Sequence, residues 1–331
     1  MRILFRDSLA VAGVLALGVL TVLTTSSSAQ EKGVIDPKKV DADFEYQGEY
    51  VGEIVRDGIN VKLGIQLIAQ GGGRFLGVGY FGGLPGEGWA GVDAVRGEGQ
   101  IKDGVMTFTT EADISVKDGV VTIRDNSGGL LGECKKVARK SPTLDEKPPA
   151  GAIVLFDGKS ADQFDGGKLD GDLLIQGVTS KQKFQSFSLH LEFMLSYAPS
   201  ERGQGRANSG CYAQSRYEVQ ILDSFGLTGE NNECGGLYSI KKPDVNMCFP
   251  PLTWQTYDID FTAAKFDGAG KKTDDARISV KHNGTAIHNN VALPKVTTAA
   301  PLTEGPEPGP LYLQDHGNPV RFRNIWVVEK K

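Results

Sequence analysis

The chain has 331 residues, 43 of them glycine, and a formal net charge of −5 at pH 7. Lys and Arg form no long runs, so there is no electrostatic footprint for nucleic acid and charge argues against a polyanion partner. Roughly three hundred residues beyond a leader exceed one ordinary domain, which predicts two cores.

At the N-terminus, Arg2 and Arg6 precede an apolar run from Leu9 to Leu23 and a short polar stretch ending Ser28-Ala29-Gln30. These are the three parts of an export signal, residues 1–29. The apolar run holds about fifteen residues where a membrane span needs about twenty. Removing Arg2, Arg6 and Asp7 takes −5 to −6, and the mature chain is expected in the periplasm or outside the cell, free of the membrane. Residues 30–43 are polar and expected to be flexible. Residues 44–137 show short alternating runs punctuated by Gly71-Gly72-Gly73, Lys102-Asp103-Gly104 and Lys117-Asp118-Gly119. That pattern predicts a small antiparallel β-rich domain, a meander or barrel, of unassigned role.

Residues 138–150 lack apolar periodicity, contain Pro142, Pro148 and Pro149, and read as a linker. Over 151–331, strands are predicted at 188–195, 217–222, 255–261, 277–282, 311–313 and 320–328, with Asn283-Gly284 as a hairpin turn. Helical periodicity is nearly absent. The chain is therefore expected to be all-β, with a two-sheet jelly-roll sandwich following the small β domain. Trp254 is expected to pack between the sheets.

Of the four cysteines, Cys234 and Cys248 would close a loop between two predicted strands, and export permits a disulfide there; a buried free thiol is the common alternative. There is no CxxC and the four His are scattered, so the zinc signal is weak. No cofactor is expected. Asp223, Glu230 and Glu233 have the loose spacing of a calcium loop, although acidic loops are more often only solvated.

On a strand through Tyr217–Leu222, Tyr217, Val219 and Ile221 face a core while Glu218 and Gln220 face solvent or a concave binding surface. Tyr238 and Lys241 offer donors from the following loop. The run Leu311–Val327 reads as a hairpin about Gly317-Asn318-Pro319. Tyr312, Gln314 and His316 share one face against Leu313 and Asp315, and Phe322, Asn324 and Trp326 oppose Arg321 and Arg323. Two arginines and a histidine near one strand end either meet carboxylates of the fold or line an open cleft. The order Glu218, Gln220, Asp223 resembles the E-x-D-x-x-E pattern of laminarinase-like glycosidases, but the middle acid is Gln and the last is shortened to Asp, which argues against ordinary retaining hydrolysis.

Seven motifs in order carry a further resemblance: FDGKS at Phe156, NSGCY at Asn208, YEVQILDSFG at Tyr217, GGLYSIKKP at Gly235, WQTYDIDF at Trp254, HNGTAIHNN at His282 and GPLYLQDHGNPVRFRNIWV at Gly309. Together they resemble the 3-keto-disaccharide hydrolase family over about 150–329. Ala161-Asp162-Gln163-Phe164 stands where that family carries Leu-Asp-Gly-Trp. The resemblance implies a concanavalin-like sandwich acting on an oligosaccharide or glycoside oxidised at C3. A C3 ketone acidifies the C2 proton; a base removes it, the enolate expels the C1 substituent, and water adds to the enone. That route needs one base, donors at the C3 oxygen and an acid for the leaving group. On this reading His316 or Glu218 is the base, and Arg321, Arg323 and Lys241 stabilise the enolate. Asn208, Gln220 and Asp223 orient hydroxyls, with Tyr238, Gln314 and Asp315 completing the substrate contacts. The alternatives are a non-catalytic, lectin-like sugar-binding module and a laminarinase-like glycoside hydrolase.

Overall fold

The computed structural model describes residues 33–330 except Asp93 and Glu111. The expected export signal lies outside the described residues. Contrary to the expected flexibility of 30–43, the chain is pinned from Gly33 onward. Val34 exchanges backbone hydrogen bonds with Tyr197, Asp41 accepts the Tyr197 hydroxyl at 2.8 Å, and buried Asp43 accepts the Gly73 N–H at 2.9 Å. The short acids that make this segment polar serve as hydrogen-bond acceptors for the fold.

Eight antiparallel strands then close a barrel: β1 (Gly48–Arg56), β2 (Ile59–Gly71), β3 (Arg74–Phe81), β4 (Val95–Lys102), β5 (Val105–Thr109), β6 (Asp113–Lys117), β7 (Val120–Arg124) and β8 (Leu130–Val137), with β8 returning to β1. Alternation in β2 sends Leu63, Ile65, Leu67 and Ala69 inward, where they fill the barrel with Tyr50, Phe75 and Met106. Ile68, Val78 and Tyr80 point outward and join the core of the following domain. Arg139 grips Glu49 with Nε at 2.7 Å and Nη2 at 2.5 Å, and its guanidinium lies 4.8 Å over the Phe249 ring. Barrel and sandwich thus share a buried seam.

The sandwich comprises β9 (Ile153–Phe156), β10 (Phe164–Asp165), β11 (Leu169–Asp170), β12 (Leu173–Ile175), β13 (Val178–Phe184), β14 (Phe187–Leu195), β15 (Ser209–Ala213), β16 (Tyr217–Ile221), β17 (Trp254–Thr262), β20 (Ala276–His282), β21 (Thr285–Leu293), β22 (Gly309–Leu313) and β23 (Val320–Glu329), with β18 (Lys265–Phe266) and β19 (Lys272–Asp274) as a separate small ladder. The smaller sheet runs β10-β13-β22-β15-β16, and the larger runs β11-β12-β23-β14-β17-β20-β21 with β9 beside β23. Between them lies one apolar core, including Leu191, Phe193, Cys211, Val219, Leu313, Phe322 and Ile325. The architecture is all-β and jelly-roll, with no α-helix among the described residues.

The segment from Leu311 to Val327 is not a paired hairpin. β22 pairs with β13 and β15, whereas β23 pairs with β12, β14 and β9. The turn at Gly317, whose φ is +77, therefore carries the chain from one sheet to the other. Alternation also breaks once inside β23. Asn324 has φ +45, and the register against β14 slips between Glu192 and His190, so one residue is inserted. Arg321, Arg323, Asn324 and Trp326 consequently share the outer face, while Phe322, Ile325 and Val327 enter the core.

Residues 140–149 lie as a strap across the outer face of the larger sheet. Ser141 Oγ meets Thr256 Oγ1 at 2.6 Å, Thr143 Oγ1 donates to Asp258 at 2.8 Å, and the Asp145 N–H donates to Glu192 at 2.6 Å. Trp254 lies on this outer face too, not between the sheets. It pairs across from outward-facing Met194, and the Arg323 guanidinium sits 4.3 Å over its ring. Cys134, Cys211, Cys234 and Cys248 are all buried free thiols. The Cys234 and Cys248 side chains hydrogen-bond each other. Cys234 Sγ also meets the Tyr257 hydroxyl at 3.3 Å, and Cys248 Sγ donates to the carbonyls of Leu222 and Phe249.

Candidate functional site

Strand β16 sends Tyr217, Val219 and Ile221 into the core, as its alternation requires, and turns Glu218 and Gln220 to the outer side of the smaller sheet. Cross-strand register sets Tyr212 opposite Glu218 and Tyr312 opposite Tyr212, so the three side chains form a row. Gly210 faces Gln220 in the next row, and Glu218 folds back over it: a Cβ at Gly210 would lie 2.1 Å from Glu218 Oε1. Only glycine leaves room for that carboxyl. Segment 235–238 closes the free edge of β16 through Gly235 N–H to Gln220 O, Gln220 N–H to Gly236 O and Tyr238 N–H to Glu218 O.

Glu218 is 2% exposed. Burial pushes its carboxyl up to about 8, a rise that the hydrogen bond with the Tyr212 hydroxyl opposes. The Tyr212 hydroxyl also accepts from Gln314 Nε2 at 3.3 Å. Burial first, then the charge of Glu218, raises the Tyr212 phenol, with Tyr312 and Tyr238 near enough to contribute. A neutral phenol therefore links an amide donor to a carboxyl that is poised near neutrality. Such a group can take or hold a proton at working pH.

Gln220 and Asn208 adjoin this row, and both donate to Gln204 Oε1 at 3.0 Å. Gln204 was not legible in the sequence, since a Gln between two glycines carries no alternation signal. Asp223 lies past the end of β16 and is buried against Arg206, Nε to Oδ2 at 2.6 Å; its charge is already matched. Asp315 accepts the Gly317 N–H at 2.8 Å and so braces its own turn, and His316 is exposed on that turn. Lys241 pairs with Asp244 and donates to the Lys242 carbonyl.

Arg321 and Arg323 are not part of this face. Because the Gly317 turn changes sheets, both lie across the core from Glu218. Arg321 Nε holds Asp170 at 2.9 Å. Arg323 holds Glu192 at 2.6 Å and Asp145 at 2.8 Å. There, His190 Nδ1 meets Asp258 at 2.6 Å and its ring stacks on Trp326 at 5.1 Å. Burial alone would depress His190, but hydrogen bonds to Asp258 and Glu192 override it and carry it up to about 9. Burial likewise opposes ionisation of Glu192, and its bonds from His190, Asn324, Asp145 and Arg323 bring it down to about 2. Both groups are thus charged at neutral pH. Glu146, His190 and Asp258 place their ligand atoms within 4.8 Å of one another, a spacing that could hold a metal ion. Glu233 accepts the N–H groups of Gly229 and Glu230, which, with the Asp223–Arg206 pair, engages two of the three acids with calcium-like spacing. A hollow of about 510 Å3, lined in part by Asp145, Glu146, Pro148, Asp157, Arg323 and Asn324, opens on this second face.

The profile of the 3-keto-alpha-glucoside-1,2-lyase-like domain matches residues 151–328. A solved structure from Parabacteroides distasonis ATCC 8503, assigned as a glycosyl hydrolase, is 30% identical; the alignment covers 55% of this chain and 85% of that one, with a TM-score of 0.50. A second structure so assigned, from the same organism, is 16% identical over 58% of this chain and 100% of the other, with a TM-score of 0.41. No curated protein matches the chain. The barrel lies outside the matched range, whereas the sandwich, with Glu218 on its smaller sheet, fills it: the chain belongs to the 3-keto-alpha-glucoside-1,2-lyase-like family.

Proposed function

We propose that the protein is an exported, carbohydrate-active enzyme that cleaves 3-keto-glycosides by proton abstraction and β-elimination, with Glu218 as the base. The observation that carries this is a carboxyl sealed from water, raised to about 8 and bonded to a neutral phenol rather than to a cation. Ionised, such a group is a stronger base than a solvated carboxylate. It takes the C2 proton of a 3-keto sugar, the C–H electron pair becomes the C2=C3 bond, and charge moves onto the C3 oxygen. Gln314 Nε2 and the Tyr238 phenol are donors for that oxygen. The enolate collapses, the bond from C1 to the leaving oxygen breaks, and His316, two residues beyond Gln314, returns a proton to the departing group. Water then adds at C1 and a proton returns to C2, so the sum is hydrolysis. Because Glu218 is 2% exposed, substrate reaches it when a partly buried neighbour, Tyr312, Tyr238 or Gln314, moves aside.

Retaining hydrolysis of laminarinase type needs two carboxyls about 5 Å apart. Here Gln220 holds the middle position and Asp223 is neutralised by Arg206. The discriminating experiment is cleavage of a 3-keto-disaccharide in deuterated water. Elimination and hydration leave deuterium at C2 of the released 3-keto sugar, direct displacement at C1 leaves none, and a lectin-like module releases no sugar. Cleavage without deuterium at C2 beyond that of an enzyme-free control would end the proposal.

A further inference from the structure

The barrel has no part in the chemistry so far, yet it grips the chain that leads into the Glu218 face. Between β14 and β15, Tyr197 packs into the barrel core. Ser200 seats against Gly71, where a Cβ would stand 2.6 Å from Ser200 Oγ and φ is +82. Arg202 Nη2 donates to the Gln70 carbonyl at 3.0 Å, and Arg206 Nη1 to the Ala69 carbonyl at 3.2 Å. Both carbonyls belong to β2 of the barrel. Between the two arginines, the tight turn Gly203–Gly205 presents Gln204. Its Oε1 accepts from Gln220 and Asn208, and its Nε2 donates to the Asn232 carbonyl at 2.8 Å. Gln220 is the neighbour of Glu218 on the same side of β16, and Asn208 leads directly into the strand that carries Tyr212. Asn318 Nδ2 donates to the Gly205 carbonyl at 2.9 Å, tying the turn after Gln314 to this loop as well.

We propose that the barrel serves the sandwich as the anchor of loop 199–206, and that Gln204 is a positioning residue which sets the amides of Gln220 and Asn208 toward the hydroxyls of the sugar. One carbonyl oxygen receiving two amide donors fixes both side chains at once. Without it, Asn208 Nδ2 keeps only the Gln204 backbone carbonyl at 2.9 Å, and Gln220 keeps the long bond to the Asn232 carbonyl at 3.5 Å and the Ile221 N–H at 3.1 Å. Both amides thus lose the acceptor that ties them to each other and are held more loosely. The inference rests on the reading of Glu218 as the base, since it supplies substrate contacts for that same face.

The test uses the full chain and 4-nitrophenyl 3-keto-α-glucoside. Gln204→Ala is expected to raise KM about tenfold while kcat stays within about threefold and the pH limb set by Glu218 does not move. Arg202→Ala removes the bond to Gln70 without touching Gln204 and is expected to raise KM about threefold with the same unmoved limb. A KM within about twofold of the parent for Gln204→Ala overturns the positioning role, and an unchanged KM for Arg202→Ala overturns the anchoring. A displaced limb, or kcat falling in step, means general distortion and overturns both. If the parent binds this compound without turning it over, the reading of the function falls by itself. The variants are then scored by calorimetric binding of the same compound: about tenfold weaker binding for Gln204→Ala sustains the inference, and unchanged or undetectable binding overturns it.

Discussion

Glu218 and Glu192 are the same residue in nearly the same structural setting, and their environments drive them to opposite ends of the carboxyl range. Each projects from the outer side of a sandwich strand and each is almost wholly buried, at 2% and 0% exposure. Glu192 receives the Arg323 guanidinium, the Asn324 amide, the Asp145 N–H and the His190 ring, and titrates at about 2. Glu218 has the Tyr212 hydroxyl and titrates at about 8. Burial penalises the charge in both cases; what differs is whether the neighbours repay that penalty. A compensated carboxylate fixes a strap to a sheet, whereas an uncompensated one keeps its proton near neutral pH, which is the property catalysis needs.

Removing the uncompensated carboxyl gives the largest expected effect. Glu218→Gln should lower kcat on a 3-keto-glycoside by about a thousandfold, within the range of general-base catalysis. In the parent, kcat/KM should climb with pH and level off above about 8. The same substitution should stabilise the fold in alkali. Glu218 titrates at about 8 when folded against 4.5 when free, so between those values the folded chain holds one proton more than the unfolded chain. Its contribution to stability therefore falls as pH rises through that window. The difference bounds the gain on neutralisation at about 5 kcal/mol. Thermal melting at pH 5 and pH 9 checks the sign: a Tm gain no greater at pH 9 than at pH 5 would contradict it.

Breaking the compensated face should do the reverse. Glu192→Gln strands His190 and Arg323 among fewer acceptors and should cost about 3–5 kcal/mol in denaturant unfolding, the scale for breaking a buried ion pair. Turnover by the folded protein should be unchanged. Here the pH dependence has two limbs. His190 titrates at about 9 against 6.5, so its contribution is full below 6.5 and is lost as pH rises through 9. Glu192 titrates at about 2 against 4.5, so its contribution is full above 4.5 and is lost as pH falls through 2. The strap should be held most firmly between pH 4.5 and 6.5. Hydrogen exchange at the Asp145 amide measures this directly, and protection that keeps increasing to pH 9, once corrected for intrinsic exchange, would refute it.

Which residues face outward on β16 was legible, because Tyr217–Ile221 alternates cleanly and its apolar set fills the core. The strand-rich barrel and the jelly-roll class were legible for the same reason, with glycine turns marking the strand ends. The fate of Arg321 and Arg323 was not. Alternation places two residues on a common face of their own strand but does not say which sheet that strand joins, and the chain changes sheets at Gly317 between the His and the arginines. Nor does periodicity announce the inserted residue at Asn324, which puts Arg323 and Asn324 on one side. The strap was illegible because its order comes from Ser141, Thr143 and Asp145 meeting partners far away in sequence, while its own composition resembles that of any connector.

The smallest expected effect tests the sheet assignment most sharply. Arg321 reaches the half-exposed Asp170 at 2.9 Å, and ion pairs that open to solvent contribute about 1 kcal/mol or less. Arg321→Ala should therefore lower stability by no more than about that much and leave KM and kcat where they were. The same substitution would be severe if Arg321 held an enolate oxygen, because losing one preorganised donor costs about a hundredfold or more in kcat. A hundredfold loss of kcat would place the arginine on the Glu218 side and dismantle the contrast between the two faces. An unchanged kcat, together with the Glu218→Gln loss, would confine the chemistry to the smaller sheet.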